Sequence, residues 1–230
     1  MSRWLEHVDP EMPPRVLRYA SSLEGTEWIR DSLTTFATSV ASFVPSGFEA
    51  YARIYHPWQD NVGSTEAPPR WRDVARFEGF DLEDPIACAA MPWSLQSPVR
   101  VMVGSLERGA LDAVVEHVRI ATSTADDCWF ALWEGFGDAQ WARDADPRLV
   151  LPNRSYLIFR GPLDGARVNL SDIAFSHRSP SLWWPADHAW CVATEVDHAW
   201  SYVGGSRALI DDVLADARLE SIATTADLLW

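Results

Sequence analysis

Apolar and polar positions along the chain fall into short stretches of both helical and strand period. From Glu24 to Phe43 the apolar residues Trp28, Leu33, Phe36, Val40 and Phe43 stand 5, 3, 4 and 3 apart. That spacing predicts a helix, ended by Pro45 and Gly47. Residues 48–56 alternate, with Phe48, Ala50, Ala52 and Ile54 on one face and Tyr51, Arg53 and Tyr55 on the other, which predicts a strand. The stretch 57–70, rich in Pro, Gly, Asn and Ser, reads as a long loop. A short helix is expected over 71–77.

Further strands are expected at 99–103 (VRVMV), 128–134 (CWFALWE), 155–160 (SYLIFR) and 190–197 (WCVATEVD). The second is apolar on both parities, as a central strand is. A helix is expected from Ser105, as N-cap, to about Ala121, with Leu106, Ala110, Leu111, Val114, Val115 and Val118 on one face. Residues 138–153 read as loop. After a turn at Gly204-Gly205, Ser206 caps a last helix to about Ser221, whose outer stripe carries Asp212, Asp216 and Glu220. Strands and helices do not alternate strictly. The expected class is therefore α+β, a mixed or antiparallel sheet with helices mainly on one side. Residues 1–15 read as a polar N-terminal arm and 16–230 as a single domain.

Composition narrows the function more by exclusion than by assignment. No run of 18 apolar residues occurs, so no membrane span is expected. The first residues, MSRWLEHVDPEMPP, lack the basic and apolar regions of a secretory signal, and the expected location is the cytoplasm. The formal net charge is -14. It argues against nucleic acid and anionic membranes as partners and for a basic protein or a cationic ligand, although solubility alone accounts for it too. All 19 basic residues are arginine. The absence of lysine excludes a Walker A phosphate loop, a protein-kinase site and Schiff-base or pyridoxal-phosphate chemistry. Cys88, Cys128 and Cys191 are an odd number, far apart and in apolar contexts, and read as buried small hydrophobes. Most of the 13 tryptophans should be core, with those beside Pro, Asp and Glu as candidates for a binding surface.

Three phrases, FVPSGFEAYARIYHPW (43–58), CWFALWEGFG (128–137) and SLWWPADHAWCVATEVD with YVGGSRALID (181–211), together resemble a family of uncharacterised bacterial proteins. The resemblance carries no established activity. It implies only that the three phrases belong to one domain.

The densest collection of chemically useful residues lies in 181–207. Trp183-Trp184-Pro185 reads as a stiff aromatic turn, followed by Asp187. On an extended strand Glu195 and Asp197 share a face, roughly 6.5–7 Å apart along the backbone, close enough to separate their pKa values. With Trp133 and Glu134 on a neighbouring strand, aromatic and acidic groups would line a groove for a sugar, a cationic ligand or a basic peptide. The plainer alternative is solvated acids beside core tryptophans. Arg207 follows Gly204-Gly205-Ser206 at a helix start, an anion site or simply a cap. His188, Cys191, Glu195 and His198 are zinc-type donors, but their parities oppose one another on a strand, and no metal or cofactor is expected. The expectation is a non-catalytic binding or interaction protein of an immunity or regulatory kind. The alternatives are a hydrolase using Glu195, Asp197 or Glu134 as acid and base, and a small-ligand sensor using the same groove.

Overall fold

The computed structural model describes residues 16–60, 68–94, 99–142, 146–173 and 176–229; the expected arm over 1–15 and part of the expected loop over 57–70 lie outside them. In chain order the elements are β1 (Arg18–Tyr19), α1 (Glu27–Ser32), β2 (Ala50–Tyr55), β3 (Trp58–Asp60), α2 (Trp71–Glu78), α3 (Pro85–Ser94), β4 (Val99–Val101), α4 (Arg108–Ile120), β5 (Cys128–Trp133), β6 (Arg148–Leu151), β7 (Arg154–Gly161), β8 (Leu182–Pro185), β9 (Cys191–Ala193), β10 (Trp200–Gly205), α5 (Arg207–Ala215) and β11 (Glu220–Thr224). The fold is α+β. Nine strands form one sheet in the order β1-β7-β5-β8-β9-β10-β2-β11, with β6 also on β7, while β3 and β4 pair separately. Every strand pairing among the described residues is antiparallel.

Both faces of the sheet are buried, which explains why its central strands are apolar on both parities. Ala52, Ile54, Phe130, Trp183, Val192 and Val203 face α4 and α5, meeting Val114, Val118, Leu209, Ile210 and Val213. Tyr51, Tyr55, Trp129, Trp184, Trp200 and Tyr202 line the other face beneath α1, α2, α3 and their connections. Each large side chain so buried contributes about 1.5–3 kcal/mol by leaving water. None of the helices among the described residues is long and apolar enough to cross a membrane. All three cysteines are free and buried, and burial pushes the Cys128 thiol up to about 12.

Several elements differ from the sequence expectation for identifiable reasons. The helix expected from Glu24 to Phe43 stops at Ser32, leaving only a single 3-10 turn at Val40–Ser42. Hydroxyls there take over the backbone donors: the Thr38 and Ser39 N–H groups donate to Ser42 Oγ at 3.1 and 3.2 Å. The loop expected over 138–153 contains β6, turned into β7 through Asn153 at φ 56. Helix α4 is capped by the Glu107 carboxylate, which accepts from Gly109 N and Ala110 N. Ser105 is wholly buried and bonds Ser179 instead. The expected turn at Trp183-Trp184-Pro185 is strand β8. The expected strand 190–197 ends at Ala193, and Gly204-Gly205 close a further strand, β10. Gly204 is needed there for close approach, since a Cβ would stand 2.5 Å from the Phe48 ring. The last helix ends at Ala215, so Glu220 lies on β11 and not on an acidic helix stripe.

Candidate functional site

The candidate site grows out of the connection between β9 and β10. After Ala193 the chain is held by Thr194 N donating to Ser181 O at 2.7 Å, and it reverses as His198 N donates to Glu195 O at 3.0 Å. Gly104 secures this turn from outside. Its N–H donates to His198 O at 2.8 Å, its φ is +72°, and a Cβ would lie 2.4 Å from Val196 O. Only glycine fits that position. The turn throws Glu195 inward, its side chain 5% exposed, and Asp197 outward at 79%.

Arg154, the first residue of β7, joins the two. Its Nε donates to Glu195 Oε1 at 3.2 Å, its Nη2 donates to the same oxygen, and Nη2 lies 3.5 Å from Asp197 Oδ2. The guanidinium is clamped between the Phe36 ring at 4.5 Å and the Trp133 ring at 5.4 Å, so cation–π contacts add to the ion pairs. Burial raises the Glu195 pKa, and the hydrogen bonds and charge of Arg154 pull it back only in part, with Asp197 adding to the rise. Beside the pair a cavity of about 20 Å³ is lined by Arg154, Glu195, Thr194, Ser181, Ser42 and Tyr156 among others. That is room for about one water.

Of the expected groove, Trp133, Glu195 and Asp197 do come together, with Arg154 as the unforeseen centre. Glu134, next along from Trp133, is half-exposed and turned to Arg148 at 3.1 Å. Trp183 and Trp184 are not groove residues. They are buried on opposite faces of β8, Trp183 against Trp190 and Trp184 against Trp129 and Trp28. Asp187 lies at the opposite end of β9 from Glu195. Burial pushes its pKa up, but donors from Ser123, Thr122 and Ala189 outweigh that and hold it below the ordinary value. Arg207 opens α5, where its N–H donates to Glu49 Oε2 at 2.8 Å. A carboxylate of the protein already fills the position an anion would take. The zinc-type donors diverge as well: His188 stacks on Trp28 and His198 on Trp200. No group of three His, Cys, Asp or Glu among the described residues is placed to hold a metal.

Two polar features were not foreseen. His56 is wholly buried; its Nδ1 lies 2.6 Å from Met102 O and must carry the proton, so Nε2 accepts from Ser201 Oγ at 3.0 Å. Thr194 then donates to Ser201 at 2.6 Å. A hydroxyl aimed at a neutral imidazole resembles an activated nucleophile, but neither His56 nor Ser201 has any exposed surface. The chain ties β2, β9 and β10 to the segment around Met102. The second feature is Arg53, wholly buried in the middle of β2. Its signal in the sequence was the pair of tyrosines, Tyr51 and Tyr55, flanking it on the same face of the expected strand. No protein-family model, no curated protein and no solved structure matches this chain.

Proposed function

We propose that this is a non-catalytic binding protein that recognises a basic partner protein, in the manner of an immunity or regulatory inhibitor, through the surface formed by α2, α3 and the turn between them. The observation that carries this reading is the placement of Phe77 and Ile86, 87% and 64% exposed, within a run of exposed acids. Asp73, Glu78, Asp81, Glu83 and Asp84 surround them in sequence against two arginines, Arg76 and Arg72, the latter turned to Glu220 at 3.4 Å. Large apolar side chains held in water and ringed by carboxylates fit an amphipathic segment that brings its own positive charge. The hydrolase alternative is less well supported. Both carboxylates of the candidate site are committed to Arg154, and the cavity beside them has no space for a substrate.

The test is fluorescence anisotropy with a labelled amphipathic peptide of Lys and Leu, beside the same peptide with Glu for Lys. The basic peptide should bind and weaken as salt rises; the acidic one should not bind. Phe77→Asp should weaken binding about tenfold even though it adds negative charge, because the apolar anchor is lost. Binding strengthened by Phe77→Asp would mean mere charge adsorption and would overturn the reading.

A further inference from the structure

Among the described residues, Arg53 is a cation without a counterion. It is wholly buried, and no carboxylate among the described residues lies within ion-pair distance of it. A guanidinium stays protonated at any ordinary pH, and burying it unpaired is strongly unfavourable. One nitrogen is served: Nη2 donates to Glu83 O at 2.9 Å. Among the described residues Nε and Nη1 have no hydrogen-bond partner. The hydroxyl of Tyr202, the residue directly opposite Arg53 on β10, accepts from the Trp200 side chain and keeps its own proton to donate. The flat faces of the guanidinium are covered, since the Tyr55 and Trp200 rings each lie 5.6 Å from it. Ring contacts stabilise the cation but leave its in-plane N–H edge unmatched.

The cover over this edge is thin. Glu83 bonds Arg53 through its carbonyl while its side chain is exposed. The neighbouring carbonyl of Leu82 accepts from the Tyr55 hydroxyl and from Cys88 Sγ. The turn from Asp81 to Asp84 therefore lies against the guanidinium and the Tyr55 hydroxyl through two backbone carbonyls. It follows Gly79, which ends α2 at φ +78°, and it is held down by acceptors that a ligand's oxygens would replace. We propose that Arg53 and Tyr202 form the floor of a binding site for a small aromatic or apolar monocarboxylate, reached when the 81–84 turn lifts. The two carboxylate oxygens match the unsatisfied fork of Nε and Nη1, with the Tyr202 hydroxyl as a further donor. Tyr55, Trp200 and Tyr202 wall the rest. The charge count selects a monoanion over phosphate. The nearby imidazole of His198 is kept neutral by burial and by His56, Arg53 and Arg154, its pKa pushed down to about 3, so it adds no charge beside Arg53, the guanidinium that meets the Tyr55 and Trp200 rings. The 81–84 turn also belongs to the acidic surface proposed above, but Arg53 and Tyr202 lie on β2 and β10, and the benzoate response does not require that surface to bind a partner.

The probe is benzoate, beside benzamide of the same shape without charge, and inorganic phosphate. Thermal unfolding and tryptophan fluorescence are read on the full chain. Benzoate should raise Tm and change the emission of Trp200 in a saturable way; benzamide and phosphate should do neither. Arg53→Met, which removes the buried charge, should fold with Tm unchanged or raised and lose the benzoate response. Tyr202→Phe should keep the fold and weaken benzoate about tenfold, as loss of one hydrogen bond to a charged group does. No response to benzoate, an equal response to benzamide, a stronger response to phosphate, or a benzoate response that survives Arg53→Met would each overturn the proposal.

Discussion

Arg154 and Glu195 show how much a buried charge depends on its partner. Arg154→Ala would strand the Glu195 carboxylate in a site where it is 5% exposed, at a cost of about 3–5 kcal/mol in urea unfolding. Replacing both by methionine should cost less than that single change, since no charge is left behind. Burial already raises the Glu195 pKa, and removing Arg154 raises it further. A raised carboxyl contributes stability below its unfolded value and loses it as pH rises through the folded one, so the Arg154→Ala deficit should be larger at pH 8 than at pH 5. The buried histidines act in the opposite direction. Burial, first among the causes, lowers His56 and His177 to about 4 and His198 to about 3. The unfolded chain takes up these protons near pH 6.5 while the folded chain does not, so stability is full above that pH and falls as pH drops from about 6.5 towards 4. Each such proton contributes about 1.4 kcal/mol per pH unit. Denaturant midpoints measured between pH 7 and 5 check this, and a flat profile would mean the histidines are not buried neutral.

At the scale of elements, the turn after β9 is set by Gly104 as much as by its own residues. Gly104→Ala places a Cβ 2.4 Å from Val196 O in a left-handed backbone, so the 195–198 turn has to move. The expected result is a loss of about 2 kcal/mol or more, with Glu195 displaced from Arg154. This turn is also where the sequence was least informative. The strands β2, β5 and β7 were legible because β2 alternates over its length, β5 is apolar throughout and β7 carries the apolar run Tyr156–Phe159. Likewise α2 and the Ser206 cap of α5 followed from local signals. The Glu195–Asp197 pairing was read from strand parity, yet the two carboxylates meet through a reversal and an arginine 41 positions away in sequence from Glu195. No local pattern encodes such a contact. Strand β8 was hidden for a related reason, since Trp-Trp-Pro has no alternation when both faces are buried. The 3-10 turn at Val40–Ser42 was lost to hydroxyls that a hydrophobic period does not weigh.

For the whole molecule, most charge is kept at the surface, with Arg53 and Glu195 among the buried exceptions. Ten of the arginines are tied to acids in ion pairs among the described residues, and the excess of acid is left to the surface. Phe77→Ala should therefore leave stability within about 0.5 kcal/mol, because its ring is 87% exposed, while weakening the basic peptide. A loss of stability on that change would place the ring in the core and remove it from the proposed contact surface. The sheet order carries one more consequence. Strand β2 is enclosed by β10 and β11, and His56 at its end meets Ser201 across 145 positions of sequence. A ribosome delivers β2 early and its two neighbours late. For most of synthesis a strand carrying Tyr51, Ile54, Tyr55 and the unpaired charge of Arg53 has both edges open. Nascent chains halted before residue 200 should therefore need a chaperone to stay dispersed, and release should follow only when β10 and β11 have both emerged.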